Sequence, residues 1–169
     1  MLSDQLLETF KPKLLALQIV PLAMMGGAVV FAGAISTMAD WSVVDRPFKI
    51  FNLIGAGTAV CMYVLAFVVP SLFPKTPDQL PQPGDQLSSD LEEKAVSGII
   101  GLLTTETIIR YALIEGGVML NLMVLMLEAR WVSVIVAGLG FVLMLLCFPL
   151  NSRLQDRISD RFDAWRRGR

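Results

Sequence analysis

Four long apolar stretches alternate with polar segments along the chain. They run from Leu14 to Ala39, from Ile50 to Phe73, from Tyr111 to Leu127 and from Trp131 to Leu150, and Glu115 is the only charged residue within them. Apolar stretches of about 20 residues without charges are typical of helices that cross a lipid bilayer. The pattern therefore predicts an all-α protein, a four-span transmembrane helical bundle made of two hairpins with an interfacial amphipathic helix at each end.

Prolines and polar residues mark the boundaries between these parts. Pro12 is expected to end a short helix at the bilayer surface, because proline disrupts a helix interior. Asp90 is expected to begin a helix that nothing interrupts before Arg130 and that would extend beyond the bilayer if it is continuous. The predicted parts are an N-terminal interfacial helix (1–13), a first transmembrane hairpin (14–74), a cytoplasmic proline-rich linker (75–89), a second transmembrane hairpin with a cytoplasmic helical extension (90–149) and a C-terminal amphipathic helix (150–169).

The C-terminal segment has an amphipathic pattern of its own. Its apolar residues lie within an arc of about 120° on a helix, with arginines beside the arc and aspartates opposite it. We expect Arg153, Arg157 and Arg161 to contact anionic lipid headgroups, with Trp165 at headgroup depth. A docking helix for a partner subunit is the alternative. Nucleic-acid binding is not expected, because the interleaved aspartates offset the arginines.

The first span, about 14–36, is rich in glycine and alanine. Ala28, Ala32 and Ser36 recur at steps of four and so share one helix face. Small residues let the backbones of membrane helices approach closely. This face predicts packing against other helices, either in copies of the same chain or in a larger membrane complex.

Composition and charge agree with a membrane protein. Of the 169 residues, 54% are hydrophobic and 17% charged, and the mean hydropathy is +0.63, which excludes an ordinary soluble domain. Four spans would leave only Arg46, Lys49 and Arg130, of 14 lysines and arginines, on the side away from the termini. The positive-inside rule then predicts both termini and the linker on the cytoplasmic side of the membrane. We expect that membrane to be the inner membrane of a bacterial cell.

Few of the residues that carry chemistry are present. The chain contains no histidine, and its two cysteines, Cys61 and Cys147, lie inside apolar stretches where small buried side chains are expected. No nucleophile–base pair, phosphate-binding loop or metal cluster is recognisable. We therefore expect no catalytic residues, no metal, no cofactor and no enzymatic activity.

Glu115 is the residue whose position most needs an explanation, because an unpaired carboxylate inside a span costs several kcal/mol. Tyr111, one turn earlier, could donate a hydrogen bond to it, whereas Arg110 is expected to pair with Glu106. One interpretation makes Glu115 an ion or proton site. The other makes it a protonated acid that holds the bundle together through a hydrogen bond across helices. The candidate partners are Asn52, Thr58, Gln18 and Asn121.

Two resemblances bear on this choice. The segments LIGAGTAV (53–60) and ALIEGGVMLNLMVLML (112–127) resemble the glycine-rich helix and the acid-bearing helix of the proton-carrying c subunit of rotary ATP synthases. That resemblance covers roughly 25 residues and implies that Glu115 is a proton site. The whole chain also resembles small bacterial four-span membrane proteins that have no assigned activity.

Two functional hypotheses follow. The first is a non-enzymatic structural or accessory membrane subunit that packs through small-residue helix faces against copies of itself or other membrane subunits. The alternative is translocation of protons or ions by Glu115, with Tyr111 and Asn121 as candidate polar neighbours.

Overall fold

A computed structural model of the protein describes residues 4–38, 50–74, 89–128 and 131–167, which contain helices and no strands. The predicted all-α class is confirmed for these residues. The helices are α1 (Asp4–Met38), α2 (Ile50–Ser71), α3 (Ser89–Glu128), α4 (Trp131–Leu146) and α5 (Asn151–Arg166).

Three of these helices are long and apolar enough to cross a membrane. They comprise Phe10–Met38 within α1, all of α2, and Asp90–Glu128 within α3. Helix α4 is equally apolar but has 16 residues. The chain is therefore compatible with a membrane protein on the length and composition of its helices.

Helix α1 is longer than its local sequence signals predict, whereas α3 has the predicted length. Helix α1 continues through Pro12, which was expected to end it. A proline in a helix removes one backbone hydrogen bond, and the apolar contacts of Phe10, Leu14 and Leu17, on both sides of this point, hold the helix together. Helix α3 runs unbroken for 40 residues, as the sequence allowed.

Several predicted connections lie outside the described residues. They include the turn at 39–49, the proline-rich linker up to residue 88 and the connection at 129–130. Ser89, the last residue of the predicted linker, already belongs to α3.

The chain divides into two compact units, and both α1 and α3 contribute to each of them. The first unit is drawn from Met1–Ile19, Leu72–Thr107 and Pro149–Arg169. Its core joins one apolar face from each of α1, α3 and α5. The residues of α5 in this core are those that form its predicted apolar arc: Leu154, Ile158, Phe162 and Trp165.

The second unit, Val20–Ser71 and Ile108–Phe148, is packed through close helix contacts. A Cβ atom added to Gly55 would lie 2.8 Å from Val124, and one added to Gly117 would lie 2.6 Å from the ring of Tyr63. A Cβ atom on Gly140 would also collide with Tyr63. Glycine at these positions is therefore required by the packing of α2, α3 and α4 against one another.

The outer surface of the second unit is strongly apolar. On α2 alone, large apolar side chains along much of its length are at least 44% exposed: Ile50, Phe51, Leu53, Ile54, Val60, Val64, Leu65, Phe67 and Val68. Soluble proteins rarely expose a continuous apolar surface of this extent. Such a surface suits contact with lipid or with other membrane helices.

Candidate functional site

The polar side chains of the second unit lie mainly along α3, and Glu115 is the first to consider. It is partly exposed, and its Oε1 lies 3.9 Å from the position that a Cβ atom on Gly27 of α1 would occupy. No hydrogen bond or ion pair connects its carboxylate to any residue that the structure describes. A carboxylate with this environment is free to take up an ion or proton, or to contact a neighbouring chain.

Tyr111 is fully buried but does not bind Glu115, contrary to the expectation. Its hydroxyl donates to the backbone oxygen of Met144, at 2.7 Å. That oxygen is available because α4 ends there: the amide of Phe148, four residues on, donates to Leu145 instead. Tyr111 therefore donates its hydrogen bond to a free backbone oxygen near the C-terminal end of α4 rather than to an acid.

Asn121 is also fully buried and also turns away from Glu115. Its Nδ2 donates to the backbone oxygens of Gly117, at 3.0 Å, and of Gly55 on α2, at 3.3 Å. Its Oδ1 is buried without a hydrogen-bond partner. The residue links α3 to α2 where Gly55 allows the two backbones to approach.

A buried acid, Glu128, forms a polar cluster that sequence reasoning missed. Asn52 of α2 donates a hydrogen bond to Glu128 Oε2, and Ser133 of α4 donates to Asn52 Oδ1 at 2.7 Å. All three residues are buried, and Glu128 Oε1 has no hydrogen-bond partner. The cluster therefore joins the start of α2, the end of α3 and the start of α4.

The sequence contained a signal for this cluster. The sequence offers Asn52 as a candidate partner of Glu115, and Glu128 follows directly after the third apolar stretch. In two antiparallel hairpins, the start of α2 and the end of α3 lie on the same side of the bundle. That topology favours Glu128 over Glu115 as the partner of Asn52, because Glu128 lies at the end of α3.

The other two suggested partners of Glu115 are also engaged or positioned elsewhere. Gln18 Nε2 donates to the backbone oxygen of Pro149 within the first unit, at 3.0 Å. Thr58 is exposed on α2. Neither forms a hydrogen bond with the carboxylate.

The residues predicted to contact lipid headgroups occupy different environments. Trp165 is only 6% exposed and packs beside Phe162 with ring centroids 5.5 Å apart. Arg161 Nη2 contacts both carboxylate oxygens of Glu106, at 2.8 and 2.9 Å. Arg153 and Arg157 are exposed, and their contact with lipid stays a prediction.

The environment of α5 corrects two expectations. Its apolar arc, expected to face lipid, packs against α1 and α3, because these helices offer a matching apolar face. Glu106, expected to pair with Arg110 on the same helix, pairs with Arg161 instead. The partly buried, charge-assisted contact of Arg161 Nη2 with both oxygens of Glu106 is stronger than the exposed pair at i, i+4 that the spacing suggested.

Within the described ranges, no group of three or more His, Cys, Asp or Glu side chains could hold a metal ion. No family model, curated protein or solved structure matches the chain. The resemblance of the second and third spans to the ATP synthase c subunit therefore rests on the residues quoted for it. Function has to be argued from the geometry of the two units.

Proposed function

We propose that the chain is a four-span protein of the bacterial inner membrane that serves as a non-enzymatic subunit of a homo-oligomer or a larger membrane complex. The observation that carries this proposal is a contrast among its glycines. Some are required by packing within the chain, whereas others, on the outside of the second unit, touch nothing.

Helix α4 is the fourth span of this proposal. Its 16 residues would cover about 24 Å, somewhat less than the roughly 30 Å of a bilayer core. Contacts with Tyr63 and Tyr111 hold it against two of the longer apolar helices. Its outward residues Ile135, Leu139 and Leu146 are at least half exposed and apolar, as a lipid-facing surface requires.

The orientation follows from charge. The connection between α2 and α3 and the segment after α4 together hold seven lysines and arginines, against three in the other two connections. The positive-inside rule favours a cytoplasmic location for both termini. Labelling of single cysteines introduced at residues 42 and 80 with an impermeant maleimide tests this: intact cells should react at 42 only.

Of the four open glycines described in the second unit, two lie on α1. Gly26 and Gly33 are seven residues apart and so share a face, and a Cβ atom on either would meet nothing within 4 Å. In contrast, Ala28 of the predicted small-residue row is fully buried within the second unit and is not available to another chain. A glycine with no neighbour in its own chain lets a helix of another subunit approach closely.

The native mass of the detergent-solubilised particle tests the subunit proposal. Gly26→Leu combined with Gly33→Leu should reduce the particle to a smaller species, because the larger side chains prevent close helix contact. Gly101→Leu is the control, since Gly101 of α3 is equally open but belongs to the first unit. A wild-type particle that contains one copy and no other subunit would refute the proposal.

Proton or ion translocation by Glu115 is the second candidate, supported by the absence of a protein partner for this carboxylate among the described residues. Reconstituted vesicles with an imposed proton gradient test it. Glu115→Gln should abolish flux, whereas Glu93→Gln, at an exposed acid of α3, should not. Equal flux in wild-type and Glu115→Gln vesicles would reject translocation and leave the subunit proposal intact.

A further inference from the structure

A proline near the end of α2 leaves a backbone oxygen without its usual partner. In an α-helix, each backbone oxygen accepts from the amide four residues later. The residue four positions after Ala66 is Pro70, which lies inside α2 and has no amide hydrogen. The oxygen of Ala66 therefore needs a donor from elsewhere.

Arg110 of α3 supplies that donor. Its Nε donates to the backbone oxygen of Ala66 at 3.3 Å, and its guanidinium lies over the ring of Phe67, with Cζ 5.7 Å from the centroid. The first contact uses Nε, and the second uses the face of the guanidinium plane. They fix its plane and leave the two terminal nitrogens, with their four N–H groups, directed away from them.

The charge of Arg110 has no carboxylate counterpart in the described part of the chain. Among the described residues, the one ion pair joins Arg161 to Glu106, and no carboxylate contacts Arg110. The side chain is only partly exposed, and Phe67 beside it is 46% exposed on the apolar outer surface of the second unit. A guanidinium at the edge of an apolar surface is costly unless an anion meets it.

We propose that Arg110 is the binding site for the phosphate of an anionic phospholipid. A planar guanidinium with two free nitrogens matches two oxygens of a phosphodiester. Ala66 lies about one and a half turns from the end of α2, so the long side chain of Arg110 reaches the level at which headgroups lie. The inference rests on the proposed membrane placement, in which this end of α2 faces the cytoplasmic leaflet with its anionic lipids.

Binding of phosphatidylglycerol to delipidated protein in detergent, followed by native mass spectrometry, tests the proposal. Arg110→Gln should raise the Kd of the tightest phosphatidylglycerol about tenfold or more, because two charge-assisted hydrogen bonds are lost. Arg157→Gln is the control, since it removes the same charge from an exposed position on α5. It should leave the tightest site unchanged.

Phe67→Leu provides a second variant that keeps the charge and alters only an exposed side chain. It should weaken binding several-fold, because the ring no longer holds the guanidinium plane. Equal affinities of wild type, Arg110→Gln and Phe67→Leu would overturn the proposal, and so would an equal loss in Arg157→Gln. Competition by inorganic phosphate at similar concentrations would assign the site to soluble anions instead.

The failure of this inference is distinguishable from failure of the proposed function. A protein that alkaline carbonate releases from membranes would contradict the membrane placement itself. A protein that resists extraction but binds phosphatidylglycerol equally well with and without Arg110 would contradict the lipid site alone.

Discussion

Substitution of two adjacent glycines on α3 separates the effect of helix propensity on stability from the effect of packing. Gly116 and Gly117 lie in the same turn, so replacing either by alanine should give a similar gain in helix propensity, about 1 kcal/mol. Their surroundings differ. A Cβ atom on Gly116 would lie 3.5 Å from the sulfur of Met62, an ordinary contact, whereas one on Gly117 would lie 2.6 Å from Cε1 of Tyr63.

The ring of Tyr63 has little room to yield to the added atom. Its hydroxyl donates to the backbone oxygen of Val136 at 3.0 Å, and Gly140 of α4 lies against it. Overpacking of this kind costs about 1–3 kcal/mol. Because the propensity gain is common to both variants, Gly117→Ala should be less stable than Gly116→Ala by about that amount.

Unfolding by sodium dodecyl sulfate in mixed micelles, followed by circular dichroism, measures the two free energies of unfolding. The clash should disappear when the ring is removed, so Gly117→Ala should not destabilise a Tyr63→Ala background. Equal stabilities of Gly116→Ala and Gly117→Ala would refute the packing of α3 on α2 described above. A loss that persists without the ring would place the strain elsewhere in the bundle.

Three further predictions concern the two buried polar contacts and the apolar core of the first unit. Arg161→Gln should lower the stability of the α5 contact by about 3 kcal/mol, since Glu106 is left buried and unpaired; faster hydrogen exchange in α5 measures this. Asn52→Leu should cost about 2 kcal/mol, because it removes the donor to Glu128, as measured by unfolding in mixed micelles. Trp165 should resist quenching by brominated lipid in a variant where it is the only tryptophan, because protein surrounds its ring; strong quenching would restore the interfacial placement of α5.

Hydropathy sufficed to predict the helices, because a long apolar stretch has few alternatives to a helix in a membrane. It did not predict the course of α1 through Pro12, since the cost of one lost hydrogen bond is local and the compensating contacts come from distant helices. For the same reason, the amphipathic pattern of α5 was read correctly, but the surface that it covers was not. An apolar helix face indicates that something apolar covers it, but it does not indicate whether the cover is lipid or protein.

Candidate site residues were predictable as polar exceptions but not as pairs. Sequence spacing suggested partners on the same helix, such as Tyr111 with Glu115 and Arg110 with Glu106, because neighbours at i, i+4 are the only contacts that one helix fixes. The observed partners of Tyr111 and Glu106 lie on other helices. Helix ends and prolines explain part of this difference, because they leave backbone oxygens free to accept from side chains on other helices. Spacing within one helix cannot reveal such contacts.

The charged residues beside apolar helices show how Glu115 differs from the rest. Glu106 contacts an arginine, Glu128 accepts from an amide, and Arg110 donates to a backbone oxygen. Each of these residues therefore has at least one polar contact within its own unit. Glu115 has no such contact among the described residues, and the closest approach described for it is to Gly27, a glycine that leaves space beside it.

A carboxylate that is left unsatisfied in an apolar unit has to be completed from outside the chain, by a proton, an ion or a polar group of another subunit. In the translocation proposal a proton or ion completes it, whereas in the subunit proposal a polar group of another subunit can do so. The effect of Glu115→Gln on assembly and on proton flux, measured on the same preparation, separates these two roles of the residue.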